Sequence, residues 1–122
     1  MTRGRDGGPR GRRPDSAELQ GLREAIDAVD RRIVGLVNER ADLTRAIGAE
    51  KARLRRPIRD AGREREVLLR VSIANEGPTP QVDLLALYRR LIATARALEA
   101  RERERLLHDE PEPRDGGEPP GA

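Results

Sequence analysis

Apolar positions near the start of the chain are spaced for one long amphipathic helix. They recur at alternating steps of three and four residues, a spacing that puts them on one face of an α-helix and resembles a coiled-coil seam. The series comprises Leu19, Leu22, Ile26, Val29, Ile33, Leu36, Leu43, Ile47 and Leu54, and it continues in step through two charged positions, Arg40 and Glu50. Asp15 or Ser16 suits the N-cap of this helix, and Pro57 is its predicted stop.

Two shorter helices are predicted after the long one. Asp60 is a plausible N-cap for the second helix, and residues 75–78 (Asn-Glu-Gly-Pro) are typical of a turn. Thr79 and Pro80 suit the N-cap and the first residue of a third helix, which runs towards Leu107. The sequence contains no strand pattern and no repeat, so it predicts an all-α fold with one long and two shorter helices.

Both ends of the chain differ from its middle. Residues 1–14 and 108–122 contain no Ile, Leu or Val, and they hold 13 of the 21 Gly and Pro residues. We expect them to be a disordered basic tail and a disordered acidic tail, since they cannot bury enough apolar surface to offset the entropy of ordering. Residues 15–107 are then one helical domain. A nucleic-acid-binding arm at residues 3–13 is an alternative, but that segment has no aromatic residue to stack on bases.

The length of the first helix predicts a partner chain. A helix of about 40 residues is roughly 60 Å long, whereas a compact chain of some 93 residues has a radius of gyration near 13 Å. Two shorter helices cannot cover the apolar seam of so long a helix fully. We therefore expect an intertwined homodimer of three-helix protomers.

Composition excludes several kinds of site. The chain has no Cys and a single His, His108. Cys-ligated metal, disulfides and a His-based triad are thereby excluded, and the sequence contains no cluster of metal-ligating residues, so we expect no metal site. No apolar run reaches the ~18 residues of a membrane span, and no signal peptide is apparent. We expect a cytoplasmic protein with no membrane or nucleic-acid partner, at a net charge of only +3.

Two cations interrupt the apolar seam of the first helix. Arg40 occupies a seam position, and Lys51 is the single Lys among 25 basic residues. They are 11 residues apart, which places them about 20° from the same helix face. Arg23 faces about 100° away from Arg40 and would suit a site completed by a partner chain. Alternatively, Arg40 is a rim residue or fixes the helix register.

Acidic residues flank the apolar stripes of the other helices. Glu64 and Glu99 do so, as does the cation Arg63, and Asp60 is the candidate N-cap of the second helix. These residues are alternatively a solvated helix start and, for Glu99, a surface acid paired with Arg96 or Arg103. Together with the seam cations they favour a pocket for a small polyanion, most simply a dicarboxylate, in which chemistry proceeds by positioning and electrostatics.

Several segments resemble the all-helical (type II) chorismate mutases. The resemblance spans roughly residues 18–104 and is carried by Leu22–Asp30 (LREAIDAVD), Leu36–Arg40 (LVNER), Ile47–Lys51 (IGAEK), Arg56–Asp60 (RPIRD) and Arg63–Arg65 (RER). It implies a domain-swapped helical dimer with two active sites. The implied reaction is the intramolecular [3,3] rearrangement of chorismate to prephenate, without a cofactor.

The resemblance also implies catalytic roles. Arg23 resembles the arginine that the partner chain lends to one carboxylate, and Arg40 resembles the arginine on the other. Lys51 resembles the lysine that contacts a carboxylate and the ether oxygen. Glu99 falls where many bacterial members have Gln. Because a carboxyl donates to the ether oxygen only when protonated, we expect activity to fall as rising pH removes the Glu99 proton.

Further positions correspond to the remainder of the family site. Asp60 and Glu64 resemble the residues near the ring hydroxyl, and Arg63 matches a further site arginine. Ala95 falls where some members have Ser, so that side-chain contact is absent here.

Three other functions remain open. An isochorismate-pyruvate lyase or a 4-amino-4-deoxychorismate mutase of the same fold would use a similar pocket, and Asp60 and Glu64 would suit a ring ammonium. A non-catalytic helical dimer, either an adaptor or a nucleic-acid binder, would explain the seam but not why Arg40 and Lys51 share a face. At 122 residues we expect a mutase without a fused dehydratase, dehydrogenase or regulatory domain.

Overall fold

The described part of the chain consists of three helices. The computed structural model describes residues 13–109, which form α1 (Ala17–Arg53), α2 (Ala61–Ala74) and α3 (Gln81–Asp109). No strand occurs within this range. The predicted all-α class, with one long and two shorter helices, is confirmed.

Helix α1 starts where the sequence predicts but ends earlier. The Leu19 amide donates to Ser16 Oγ at 3.1 Å, so Ser16 caps the helix as expected. The predicted stop at Pro57 is wrong, because α1 ends at Arg53. The amides of Arg56 and Arg55 donate to the carbonyls of Lys51 and Ala52, and Arg55 has φ 59°. This is a Schellman turn, so the backbone ends the helix before the proline.

The boundaries of α2 and α3 follow local capping. Asp60 Oδ1 accepts from the Arg63 amide at 3.0 Å, which confirms the predicted N-cap of α2. Helix α3 begins at Gln81, one residue after the predicted start, since the Pro80 carbonyl accepts the first helical amides. Its last turn contains His108 and Asp109, so the helix extends beyond the domain boundary expected at residue 107.

Other expectations concern segments outside the described residues. The disorder predicted for the two tails falls largely on residues 1–12 and 110–122, which the structure does not describe. Between residues 13 and 109, none of the helices has the length and apolar character needed to cross a bilayer. The cytoplasmic location stays a prediction.

The chain divides into two compact units between Asn38 and Glu39. In the described part of the first unit, the apolar stripe of α1 is open to solvent, with 59% of Leu22, 60% of Ile26 and 63% of Leu36 exposed. The second unit contains the end of α1 together with α2 and α3. Its interior is unusually polar, because Ile92 is the single buried apolar side chain among the described residues.

Candidate active site

A cavity of about 350 Å³ lies among the three helical segments of the second unit. Helix α1 supplies one wall, the loop before α2 and its first turns supply the second, and α3 supplies the third. The charged lining residues are Arg40, Lys51, Asp60, Arg63, Glu64, Arg96 and Glu99, and the others are Leu43, Thr44, Ile47, Ile58, Val67, Ile92 and Ala95. The cavity is thus an apolar pocket rimmed by convergent charges, which is the usual form of a small-molecule site.

The cavity brings together seven of the eight residues that the sequence singles out. These are Arg40, Lys51, Asp60, Arg63, Glu64, Ala95 and Glu99. The eighth, Arg23, lies on the first part of α1, where its guanidinium pairs with the Asp15 carboxylate at 3.3 Å and half of the side chain is exposed.

A largely buried ion pair links α1 to α3 in this cavity. Lys51 Nζ donates to Glu99 Oε1 at 2.8 Å and to the Ile58 carbonyl at 2.6 Å. Since an ammonium has three donors, one N–H of Lys51 remains for a ligand. Glu99 is 8% exposed, so the alternative of a surface acid paired with Arg96 or Arg103 is wrong.

Gly48 lets the two helices approach closely enough to form this pair. It is buried on α1, one turn before Lys51. A Cβ at position 48 would lie 3.0 Å from Glu99 Cα and 3.3 Å from Glu99 Cβ. Because these separations are shorter than ordinary contacts, Gly48 fixes the distance between the backbones that carry Lys51 and Glu99. Gly48 was not among the predicted site residues, although it lies within the Ile47–Lys51 segment that resembles the family.

A second charged cluster joins α2 to α3. Arg96 Nη1 donates to Glu64 Oε2 at 2.7 Å, and Arg59 Nε lies 3.6 Å from Glu64 Oε1. Glu64 is well shielded, with 19% of its side chain exposed. From the sequence, Arg96 is expected only as a surface partner of Glu99. Its position beside Ala95 and one turn before Glu99 is the signal that would have placed it at the cavity.

The remaining cations of the cavity differ in how they are paired. Arg63 Nη1 donates to Glu66 Oε1 at 2.7 Å, and this hydrogen bond holds the pKa of Glu66 below its ordinary value. Within residues 13–109, the half-buried Arg40 side chain makes no hydrogen bond or ion pair with a protein group. Arg40 is therefore the cavity cation most available to an anionic ligand.

A second buried acid lies outside the cavity, between α1 and α3. Glu102 is 8% exposed, and its carboxylate accepts from Arg105 Nη2 at 2.6 Å and from Arg45 Nε at 3.4 Å. The Arg105 hydrogen bond is the main reason that the pKa of Glu102 lies below its ordinary value. The described residues contain no group of three or more acidic or His side chains placed to hold a metal ion.

Comparison with known proteins relates this cavity to a family. Residues 22–100 match the family model described as chorismate mutase type II. The chain is 38% identical over 86 residues to a bifunctional chorismate mutase/prephenate dehydratase of Aquifex aeolicus, covering 67% of this chain and 24% of that protein. It is 42% identical over 53 residues to the Escherichia coli K12 protein of the same description, covering 43% of this chain and 14% of that protein.

A solved structure shows the same fold. The structure of chorismate mutase (form II) from Thermus thermophilus superposes with a TM-score of 0.67 at 33% identity, covering 69% of this chain and 96% of that one. The matched part of this chain spans about a quarter or less of the bifunctional relatives' length.

Proposed function

Because this chain belongs to the type II chorismate mutase family, we propose that it rearranges chorismate to prephenate in the cavity around Lys51. The observation that carries the proposal is the convergence of Arg40, Lys51 and Glu99 on one 350 Å³ pocket. Two cations, Arg40 and Lys51, beside an apolar wall suit a compact dicarboxylate better than they suit a macromolecular surface.

The proposed reaction needs no covalent contribution from the protein. In the substrate, the ether C–O bond breaks while a C–C bond forms, and negative charge grows on the ether oxygen as the bond breaks. The third N–H of Lys51 is the donor for that oxygen, and it is preorganised by the two hydrogen bonds that hold Nζ. Holding the open-chain substrate in a folded conformation supplies the rest of the acceleration.

Glu99 is proposed to oppose the reaction through its charge. As the ion-paired carboxylate, Glu99 has no proton to donate and would repel charge growing on the ether oxygen. A neutral donor at this position, as in Glu99→Gln, would instead be a second donor to that oxygen beside Lys51.

The substrate has two carboxylates. The one that Arg40 does not bind is proposed to be bound by Arg23 of the partner subunit in a homodimer. Support comes from the exposed apolar stripe of α1 and from Ile92 as the single buried apolar side chain of the described residues. A chain with so small an apolar interior is not expected to be stable alone, and a second copy would cover the stripe. We extend the proposal to residues 15–107 as the part that carries activity.

Chorismate turnover tests the proposed activity. Loss of chorismate absorbance is followed with purified protein, and the product is identified as prephenate by mass spectrometry. Prephenate formation that survives removal of residues 1–14 supports the mutase. Pyruvate release from isochorismate without action on chorismate would instead indicate the lyase. Inactivity on chorismate, isochorismate and 4-amino-4-deoxychorismate, together with salt-sensitive binding to nucleic acid, would favour the non-catalytic alternative.

Mixing two inactive variants tests the shared site. Arg23→Ala and Lys51→Ala are co-refolded at equal concentration, each being nearly inactive alone. Half of the dimers are then mixed and each mixed dimer has one intact site, so activity should return to about a quarter of wild type. No recovery, with mixed dimers demonstrated by native mass spectrometry, would contradict the role of Arg23 in the partner's site.

A further inference from the structure

Arg96 is a charged cavity residue without a counterpart in the set of site residues implied by the family resemblance. It extends from α3 across the cavity wall and donates to Glu64 Oε2 at 2.7 Å, while about a third of its side chain remains exposed. The guanidinium and the carboxylate therefore share the end of the pocket where the family resemblance places the ring hydroxyl, beside Glu64.

The three acids of the cavity are all engaged with protein groups. Glu99 pairs with Lys51, Glu64 lies between Arg96 and Arg59, and Asp60 accepts from the Arg63 amide at the start of α2. Asp60 is also exposed to solvent, which screens its charge. Glu64 is thus the shielded acid at this end, and its charge is already balanced by two guanidinium groups.

We propose that Arg96 is a specificity-determining residue that makes the cavity select a neutral ring hydroxyl over a ring ammonium. This inference rests on the proposed mutase function. It predicts that the cavity discriminates between chorismate, which has a ring hydroxyl, and 4-amino-4-deoxychorismate, which has a ring ammonium in its protonated form. A hydroxyl can donate to a lone pair of Glu64 that the guanidinium leaves free. An ammonium at the same place would lie beside Arg96 with no uncompensated acid to stabilise it.

Charge geometry sets the size of the effect. If a ring ammonium and the Arg96 guanidinium both donated to the Glu64 carboxylate, the two cations would be about 4–6 Å apart. Because Arg96 is partly exposed, solvent would screen the repulsion between these two cations but would not abolish it. We expect removal of the Arg96 charge to raise the ratio of kcat/KM for the amino substrate to kcat/KM for chorismate about tenfold, within a range of about three to thirty. Attraction of Arg96 for the substrate carboxylates is common to both substrates and cancels in this ratio.

The test compares three variants on both substrates. Arg96→Met removes the charge with little change of length, and Arg96→Lys keeps the charge. Arg101→Met removes one charge from an exposed position of the same helix and serves as the matched control. The ratio should rise only in Arg96→Met, and circular dichroism should show unchanged helix content in all three.

The outcomes separate this inference from the proposed function. A ratio in Arg96→Met within twofold of wild type would overturn the role of Arg96, and so would an equal rise in Arg101→Met. If wild type does not turn over chorismate, the proposed mutase function is wrong. The role of Arg96 in selectivity is then tested by calorimetric Kd values for the two dienes, chorismate and 4-amino-4-deoxychorismate. Tighter binding of the amino diene by Arg96→Met alone then upholds the inference, whereas unchanged discrimination, or no binding of either diene, overturns it.

Discussion

Replacing Gly48 by alanine tests whether the contact between α1 and α3 positions the Lys51–Glu99 pair. The added Cβ would lie 3.0 Å from Glu99 Cα and 3.3 Å from the Glu99 carbonyl oxygen. Both neighbouring atoms belong to helix backbone, so the contact cannot be relieved by rotating a side chain. The helices must separate by several tenths of an ångström, which moves Glu99 away from Lys51.

Two opposing effects determine the stability of Gly48→Ala. Alanine in a helix interior gains about 0.5–1 kcal/mol over glycine, whereas overpacking a close contact costs about 1–3 kcal/mol. Gly35→Ala is the matched control, because Gly35 is also within α1 and has no atom within 4 Å of an added Cβ. It also lies about 140° around the helix from the exposed stripe. The free energy of unfolding should therefore be lower in Gly48→Ala than in Gly35→Ala by about 1–3 kcal/mol.

Activity provides the second readout of Gly48→Ala. Because donor groups act at defined distances, a shift of several tenths of an ångström should lower kcat about three- to tenfold, with a smaller change in KM. Urea unfolding and steady-state kinetics of both variants measure the two effects. The reasoning is refuted if Gly48→Ala is as stable and as active as Gly35→Ala, since the added methyl would then have displaced nothing of consequence.

Three further predictions concern charge and backbone conformation. Glu99→Gln should raise kcat/KM for chorismate, because the amide donates to the ether oxygen whereas the ion-paired carboxylate repels it; an unchanged kcat/KM would exclude Glu99 from that contact. Glu102 has a pKa below its ordinary value of 4.5, so its ionised form contributes stability above that pH, and this contribution is lost as pH falls through the lowered pKa. Acid unfolding followed by circular dichroism should accordingly show a shallower loss of stability below pH 4.5 for Glu102→Gln, and an equally steep loss would exclude Glu102 as a cause. Arg55→Gly should stabilise the protein by up to about 1 kcal/mol in urea unfolding, because φ 59° is costly for a side-chain-bearing residue, and a destabilised variant would refute the cost assigned to that conformation.

Features determined by local sequence are those that could be predicted. The steps of three and four in the apolar residues predicted α1, and the side chain of Asp60 predicted the start of α2. The 11-residue spacing of Arg40 and Lys51 placed them on one face of a helix, and both line the cavity. These inferences need only the helix repeat and the chemistry of capping.

Features that depend on packing between helices could not be predicted in the same way. The pairing of Arg96 with Glu64 joins residues 32 positions apart, and no periodicity on either helix specifies it. The end of α1 was placed too late because Arg55 adopts a conformation that usually requires glycine. The importance of Gly48 was missed because a glycine within a helix becomes informative only when the neighbouring backbone is known.

The central claim is that Lys51 in this cavity drives the rearrangement of chorismate, and the rate of prephenate formation in a charge-removed variant tests it most directly. Lys51→Met is compared with wild type and with Arg53→Met, which removes an exposed cation two residues further along α1. We predict that Lys51→Met loses about 100-fold or more in kcat/KM, as expected when one preorganised donor is removed, while Arg53→Met stays within about twofold of wild type. Lys51→Met retaining more than about a tenth of wild-type kcat/KM would contradict the account.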